Sequence, residues 1–159
     1  MIFVTVGTSV PFDRLVDTVN GWATSCPDEQ LFAQVGLAKK LPKHIDSVKF
    51  VSPSQANQLF LQASLIVSHA GMGSILSALR YRKPILIMPR RAALGETRND
   101  HQIATAKWLG GRPGVSVAWD EEELLALLQN RHQLAAGSGI SEYAQPALIE
   151  RLNNFIMTA

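Results

Sequence analysis

The sequence predicts an α/β fold with a doubly wound, mainly parallel sheet. Two observations carry this. Short apolar runs alternate with segments of helical periodicity along the whole chain, the pattern of strand–helix repeats. The runs are continuously apolar, so the strands are covered on both faces. A length of 159 residues fits one domain, and residues 1–159 are read as a single unit.

Each element follows from local chemistry. Ile2 to Val6 is a β-branched run ending at Gly7, a buried strand. Pro11 is expected to open a helix, where its missing N–H costs nothing, and Phe12, Leu15, Val16, Val19 and Trp22 recur at helical spacing. Leu31 to Val35 and Val48 to Val51 read as the second and third strands. Ser54 to Ala63 reads as a helix with Ser54 near its cap. Leu65 to Val67 is the fourth strand, and Gly71 to Tyr81 a glycine-opened helix. Pro84 to Met88 is the fifth strand, followed by a polar loop from Arg90 to Asn99. A helix over Asp100 to Leu109, a strand over Val115 to Trp119 and a helix over Glu121 to Leu128 come next. A closing helix is expected over residues 142–157, where Leu148, Leu152, Phe155 and Ile156 form an apolar stripe. That stripe would lie on the chain's own sheet or on a partner.

Composition narrows the function classes. Fifteen Lys and Arg against thirteen Asp and Glu leave a net charge of +2, too little to argue for nucleic acid. Trp22, Trp108 and Trp119 read as core or rim packing, not a base-stacking platform. The single cysteine, Cys26, builds neither an internal disulfide nor a zinc site, which points to the cytoplasm. The N-terminal segment lacks the pattern of a signal peptide, and no apolar run reaches the roughly 20 residues of a membrane span. His69 and His101 lack metal-ligand spacing, so no metal is expected.

Ligands of such sheets bind at the carboxyl ends of the strands. After the fourth strand comes Ser68-His69-Ala70-Gly71-Met72-Gly73-Ser74. Two glycines permit close backbone approach, and a helix N-terminus offers free N–H groups to a phosphate. Ser74 and His69 could each donate a hydrogen bond. A plain strand-to-helix turn with Ser74 as its cap explains the same residues. The pattern is not a dehydrogenase fingerprint, because the first strand ends in the single glycine of Val6-Gly7-Thr8-Ser9. It also lacks the P-loop lysine.

His69-Ala70-Gly71-x-Gly73-Ser74, then Ala78-Leu79, Lys83-Pro84, Pro89 and His101-Gln102 together resemble the C-terminal, donor-binding domain of glycosyltransferase family 28. Thr5-Val6-Gly7-Thr8, Pro11 to Val16, Ile87 to Ala92, Gly95-Glu96 and Arg98 to Gln102 resemble its stand-alone bacterial members, the PssE-like exopolysaccharide proteins. The resemblance covers nearly the whole chain. It implies a Rossmann-like domain of the GT-B type, similar to the C-terminal half of MurG.

By that resemblance, Gly7, Thr8, His69, Gly71, Gly73 and Ser74 face the pyrophosphate of a UDP-sugar, which is a substrate and not a cofactor. Residues 50–55 hold uracil, and Asp100, His101 and Gln102 read the sugar hydroxyls. Ser77 stands where the family carries a ribose-binding Glu, and Arg82 where it carries Gly. Glu96 and His101 are the candidate catalytic groups, with a solvated charge, or one paired with the nearby Arg91 or Arg98, as the other reading of Glu96. Arg90, Arg91 and Arg98 would meet a pyrophosphate, anionic lipid or water.

The resemblance also implies a missing half. GT-B enzymes clamp the donor between two domains, and this chain supplies one. The expected partner is a membrane-anchored, acceptor-binding, PssD-like subunit that recruits the chain to the inner face of the membrane. The expected reaction moves a sugar to a lipid-linked saccharide in bacterial polysaccharide synthesis. A non-catalytic activator of a partner glycosyltransferase is the alternative. Self-association of the isolated chain stays open.

Overall fold

The computed structural model describes residues 1–141 and 143–158. Six strands form one sheet: β1 (Ile2–Thr5), β2 (Leu31–Gln34), β3 (Asp46–Val48), β4 (Leu65–His69), β5 (Ile85–Met88) and β6 (Val115–Val117). Their order is β3-β2-β1-β4-β5-β6, and every pair is parallel. The helices are α1 (Asp13–Ala23), α2 (Pro53–Gln62), α3 (Met72–Arg80), α4 (His101–Leu109), α5 (Glu121–Gln129) and α6 (Pro146–Thr158). The expected doubly wound α/β fold is what forms, with the sheet wholly parallel among the described residues.

Alternation along each strand divides the core in two. Ile2, Val4, Val67, Leu86 and Met88 face the layer of α1 and α5, where Leu15, Val19, Trp22, Leu124 and Leu128 are buried. Phe3, Ile66, Ile85 and Ile87 face the opposite layer, with Phe60, Ile75, Leu79, Ala106 and Leu109. Phe3 meets Phe60 edge to face, ring centroids 5.4 Å apart. Both faces are dry, which is why the strands are apolar without interruption.

Several boundaries differ from the sequence reading. Helix α1 begins at Asp13, not Pro11, because Phe12 stays non-helical (φ −141°, ψ 59°) and turns its ring into the core. Strand β3 is Asp46–Val48, three residues long and earlier than Val48–Val51; it is an edge strand and only half-buried, so no apolar run marks it. The cap of α2 is Ser52, not Ser54: its Oγ accepts from the Gln55 N–H and the Gln55 amide accepts from the Ser52 N–H, with Pro53 at the first helical position. Gly71 caps α3 without a side-chain bond, so Ser74 is not the cap. Trp22 is buried, but Trp108 is 65% exposed, its ring under the Arg112 guanidinium at 5.1 Å, so it is not core. The expected helix over 142–157 begins at Pro146; Glu142 lies outside the described residues. Leu148, Leu152, Phe155 and Ile156 are exposed, so the stripe does not bury itself on the chain's own sheet.

The order 3-2-1-4-5-6 reverses between β1 and β4. At such a switch point the loops leave in opposite directions and open a crevice at the carboxyl ends of the strands. That places the loops after β1 and β4 side by side.

Candidate functional site

A cleft of about 370 Å³ lies at this switch point. Of the residues singled out in the sequence, Gly7, Thr8, His69, Gly73, Ser74 and Ser77 line it. Val51, from the segment expected to hold a base, and Ala56, just beyond it, line it too, beside Gln34 and Phe60. Two larger hollows, about 660 and 500 Å³, lie between α1 and α5 and on the outer side of α3. Neither gathers a glycine loop, and the helix start in the first, Glu121 of α5, carries its own carboxylate, so the smaller cleft is the one suited to an anion.

The glycines have physical reasons. Gly7 has φ +74°, the left-handed region that a side chain resists. The His69 ring lies against it: a Cβ on Gly7 would stand 3.0 Å from the ring, and a Cβ on Gly71 only 2.2 Å from its Nε2. Gly73 differs, since a Cβ there would meet nothing within 4 Å. It leaves open space in the cleft.

The same corner presents unused donors. The first bond of the α3 ladder runs from the Ile75 N–H to the Gly71 carbonyl, 3.2 Å, leaving the N–H groups of Met72, Gly73 and Ser74 outside it. Among the described residues, no hydrogen bond within the chain uses the N–H of Gly7, Thr8 or Ser9. Two sets of backbone donors and the positive end of α3 thus meet in one crevice.

A polar network beneath the cleft holds the β1 loop. The Thr5 hydroxyl donates to Gln34 Oε1 at 2.7 Å, and Gln34 Nε2 donates to the carbonyls of Gly7 (3.0 Å) and Lys49 (2.8 Å). The buried Ser68 hydroxyl donates to the Thr5 carbonyl at 3.0 Å and lies 3.2 Å from His69 Nδ1. Gln34 was not singled out in the sequence, although an amide at the end of the apolar run Leu31–Val35 is the signal that could have found it. Burial pushes the His69 imidazole down to about 4, and the Arg90 and His101 charges push it the same way, against the Thr5 carbonyl. At neutral pH His69 is therefore uncharged and offers one N–H.

The other predicted residues lie outside the cleft lining. Asp100 is exposed and its Oδ1 accepts from the Ala92 N–H at 2.9 Å. His101 is exposed at the start of α4, its Nδ1 bonded to Asn99 Oδ1. Gln102 is buried, and its Oε1 accepts from the Arg90 N–H at 3.2 Å. Glu96 is held by Arg14 at 2.6 and 2.9 Å and by the Arg91 N–H at 2.9 Å. This is the Arg-paired arrangement, with Arg14 as the partner.

Of the three arginines after β5, only Arg98 has an exposed side chain. Arg90 is 2% exposed and donates to four carbonyls, so it does not meet lipid or water. Arg91 is half-buried and donates to the Trp119 carbonyl.

A doubly wound domain with an anion-receptive cleft at its switch point is a nucleotide-binding class of fold. The model of the glycosyltransferase family 28 C-terminal domain matches residues 1–141, and the chain belongs to that family. It is 33% identical over 119 residues to the UDP-N-acetylglucosamine transferase subunit ALG13 of Mus musculus, covering 67% of this chain and 10% of that protein. The ALG13 subunit of Eremothecium gossypii is 31% identical over 102 residues, covering 64% of this chain and 48% of that one. The chain thus spans about a tenth of the mouse relative and about half of the fungal one. Among solved structures, ALG13 in solution superposes with a TM-score of 0.61 at 21% identity, covering 95% of this chain and 93% of that one. MurG of Acinetobacter baumannii gives 0.59 at 19%, over 84% and 42%. These two likenesses establish the GT-B type of fold. Among the described residues, no helix is long and apolar enough to cross a membrane.

Proposed function

We propose that this chain is the donor-binding subunit of a two-component inverting glycosyltransferase that uses a UDP-sugar. One observation carries the reading: the cleft at the β1–β4 switch point brings the Gly7–Ser9 loop, His69 and the N-terminus of α3 together around unused N–H donors. A diphosphate fits that chemistry, because fixed dipoles and N–H groups stabilise the charge that grows on a departing UDP. The acceptor hydroxyl attacks the anomeric carbon, the bond from that carbon to the UDP oxygen breaks, and UDP leaves with the electron pair. The hydroxyl proton passes to a base. His101, exposed beside the Asp100 cap, is the candidate on this chain. Glu96 would first have to release Arg14. Asp100 and Gln102 would have to give up their backbone bonds to read sugar hydroxyls.

The partner is proposed to be a membrane-anchored, PssD-like acceptor subunit, and the product a lipid-linked saccharide of bacterial polysaccharide assembly. The subunit naming of the relatives supports two components. The chain would then work in the cytoplasm at the inner face of the membrane. A second reading, a non-catalytic activator, is favoured by one observation: Ser77, a short neutral side chain, is what α3 offers the cleft beyond Ser74.

Thermal unfolding with UDP, UMP, GDP and UDP-sugars tests the first reading. Saturation at about 100 times Kd adds about 2.7 kcal/mol, a rise of roughly 5–10 °C for a domain of this size. A rise confined to uridine diphosphates, and lost in Ser74→Ala, supports donor binding. No rise with the chain alone or with its co-expressed partner leaves the activator.

A further inference from the structure

Among the described residues, Arg90 is the largest side chain with no more than 2% of its surface exposed. Its four acceptors are the carbonyls of Val6 (2.7 Å), Val10 (2.8 Å), Pro11 (2.7 Å) and Glu96 (3.2 Å). Among the described residues no carboxylate hydrogen-bonds it; Glu96 spends its oxygens on Arg14 and the Arg91 N–H. The guanidinium lies 4.8 Å from the centre of the Phe12 ring. A cation so buried is costly unless its donors are satisfied, and here carbonyls of the β1–α1 loop satisfy most of them. A trans peptide points its carbonyl and its N–H to opposite sides. Arg90 draws in the Val6 carbonyl and Gln34 the Gly7 carbonyl. The N–H groups of Gly7 and Thr8 are thereby turned away from both anchors.

We infer that Arg90 is a positioning residue for anion binding: by gripping the carbonyls of Val6, Val10 and Pro11 it fixes the β1–α1 loop with its N–H groups free, and it places a buried positive charge behind the cleft. The inference rests on the reading of the cleft as a diphosphate site. It extends that reading to a residue of the loop after β5 that does not line the cleft. Lysine is not equivalent here, because an ammonium cannot span three carbonyls with the geometry of a guanidinium fork.

Arg90→Lys and Arg90→Met are compared with the parent chain, first without ligand. Amide order parameters are measured at residues 7–10 and 12, and hydrogen exchange at β4 and β5 serves as the control for folding. The expected result is core protection retained in Arg90→Lys and order parameters at Gly7, Thr8 and Phe12 lowered from the rigid value of about 0.85 to below about 0.6. Inorganic pyrophosphate and uridine are then titrated separately. Pyrophosphate affinity is expected to fall at least tenfold in Arg90→Lys and further in Arg90→Met, with uridine affinity within twofold. Should both variants unfold, the parent chain decides: slowly exchanging, hydrogen-bonded Arg90 Nη protons that shift when pyrophosphate is added support the inference, and their absence overturns it. Unchanged loop order parameters in a folded Arg90→Lys overturn it, as does equal pyrophosphate affinity. A parent chain that binds neither pyrophosphate nor UDP, with or without its partner, overturns the diphosphate reading itself and the anion-binding role with it.

Discussion

Glu96 and Arg14, 82 residues apart in sequence, form a two-point ion pair at 2.6 and 2.9 Å that joins α1 to the loop after β5. Their side chains are only 11% and 12% exposed. Burial works against the Arg14 charge, but Glu96 and Glu121 together hold its proton more tightly than usual. Removing one partner of a well-buried pair costs roughly 3–5 kcal/mol. Glu121 retains a contact at 3.3 Å and some water reaches the pair, so Glu96→Ala is expected to cost about 2–3 kcal/mol. That lowers Tm by roughly 4–12 °C. Arg14→Met in the Glu96→Ala background should add little, giving a coupling above about 1 kcal/mol. Chemical denaturation of the four chains reads this directly. Additive effects would mean that Glu96 is not held for structure and return it to the candidates for a base.

Gly73 and Gly71 separate binding from folding. A methyl on Gly73 meets open space within the cleft. Gly73→Ala should leave Tm unchanged or raise it by the better helix propensity of Ala, up to about 1 kcal/mol. It should weaken UDP at least tenfold. A methyl on Gly71 would overlap the His69 ring. Gly71→Ala should therefore shift the ring resonances of His69 and lose both stability and UDP binding. Calorimetric titration beside thermal unfolding tests the contrast, and a Gly73→Ala chain that binds UDP as well as its parent would place the diphosphate elsewhere.

His69 gives a pH dependence with a definite sign. Its ring is held at about 4, below the ordinary 6.5, first by burial and then by the charges of Arg90 and His101. The Thr5 carbonyl opposes them, and the Ser68 hydroxyl contacts Nδ1. The unfolded chain takes up the proton first, so the contribution is whole above about pH 6.5 and is lost as pH falls toward 4. It amounts to about 3 kcal/mol at most. Urea midpoints between pH 7 and pH 4.5 should fall more steeply for the parent chain than for His69→Gln. A bound diphosphate would favour the protonated ring. UDP binding near pH 5.5 should then take up protons, seen as a heat that depends on the buffer.

How much was visible in the sequence depends on how local each cause is. Strands β1, β4 and β5 are buried on both faces, so they show as unbroken apolar runs. Strand β3 is a half-buried edge of Asp46, Ser47 and Val48, and its pairing to β2 leaves no hydrophobic mark. His69, Gly71, Gly73 and Ser74 are neighbours in the chain, so their turn could be read as a unit. The bonds of Arg90 to Val6 and of Arg14 to Glu96 join segments more than eighty residues apart. A charged side chain in a polar loop looks the same whether it ends in water or under a ring such as Phe12. The residues that shape the cleft from behind were illegible for that reason.

Arg82 carries the last prediction. It has φ +52°, the left-handed region, at the turn between α3 and β5. An L-residue pays roughly 1–2 kcal/mol there, and glycine does not. Part of that cost is returned by contact: a Cβ on Gly139 would stand 3.1 Å from Arg82 Cγ, so the arginine stem packs against Gly139. Glycine would also be more flexible in the unfolded chain, an opposing loss of several tenths of a kcal/mol. Arg82→Gly should therefore gain about 0.5 kcal/mol, and Arg82→Ala should gain nothing, because it keeps the Cβ and loses the stem. The turn lies at the amino end of β5, away from the cleft, so UDP affinity should match the parent chain in both. Urea denaturation of the two variants measures the difference. A loss in Arg82→Gly as large as in Arg82→Ala would mean that packing on Gly139 outweighs the backbone strain.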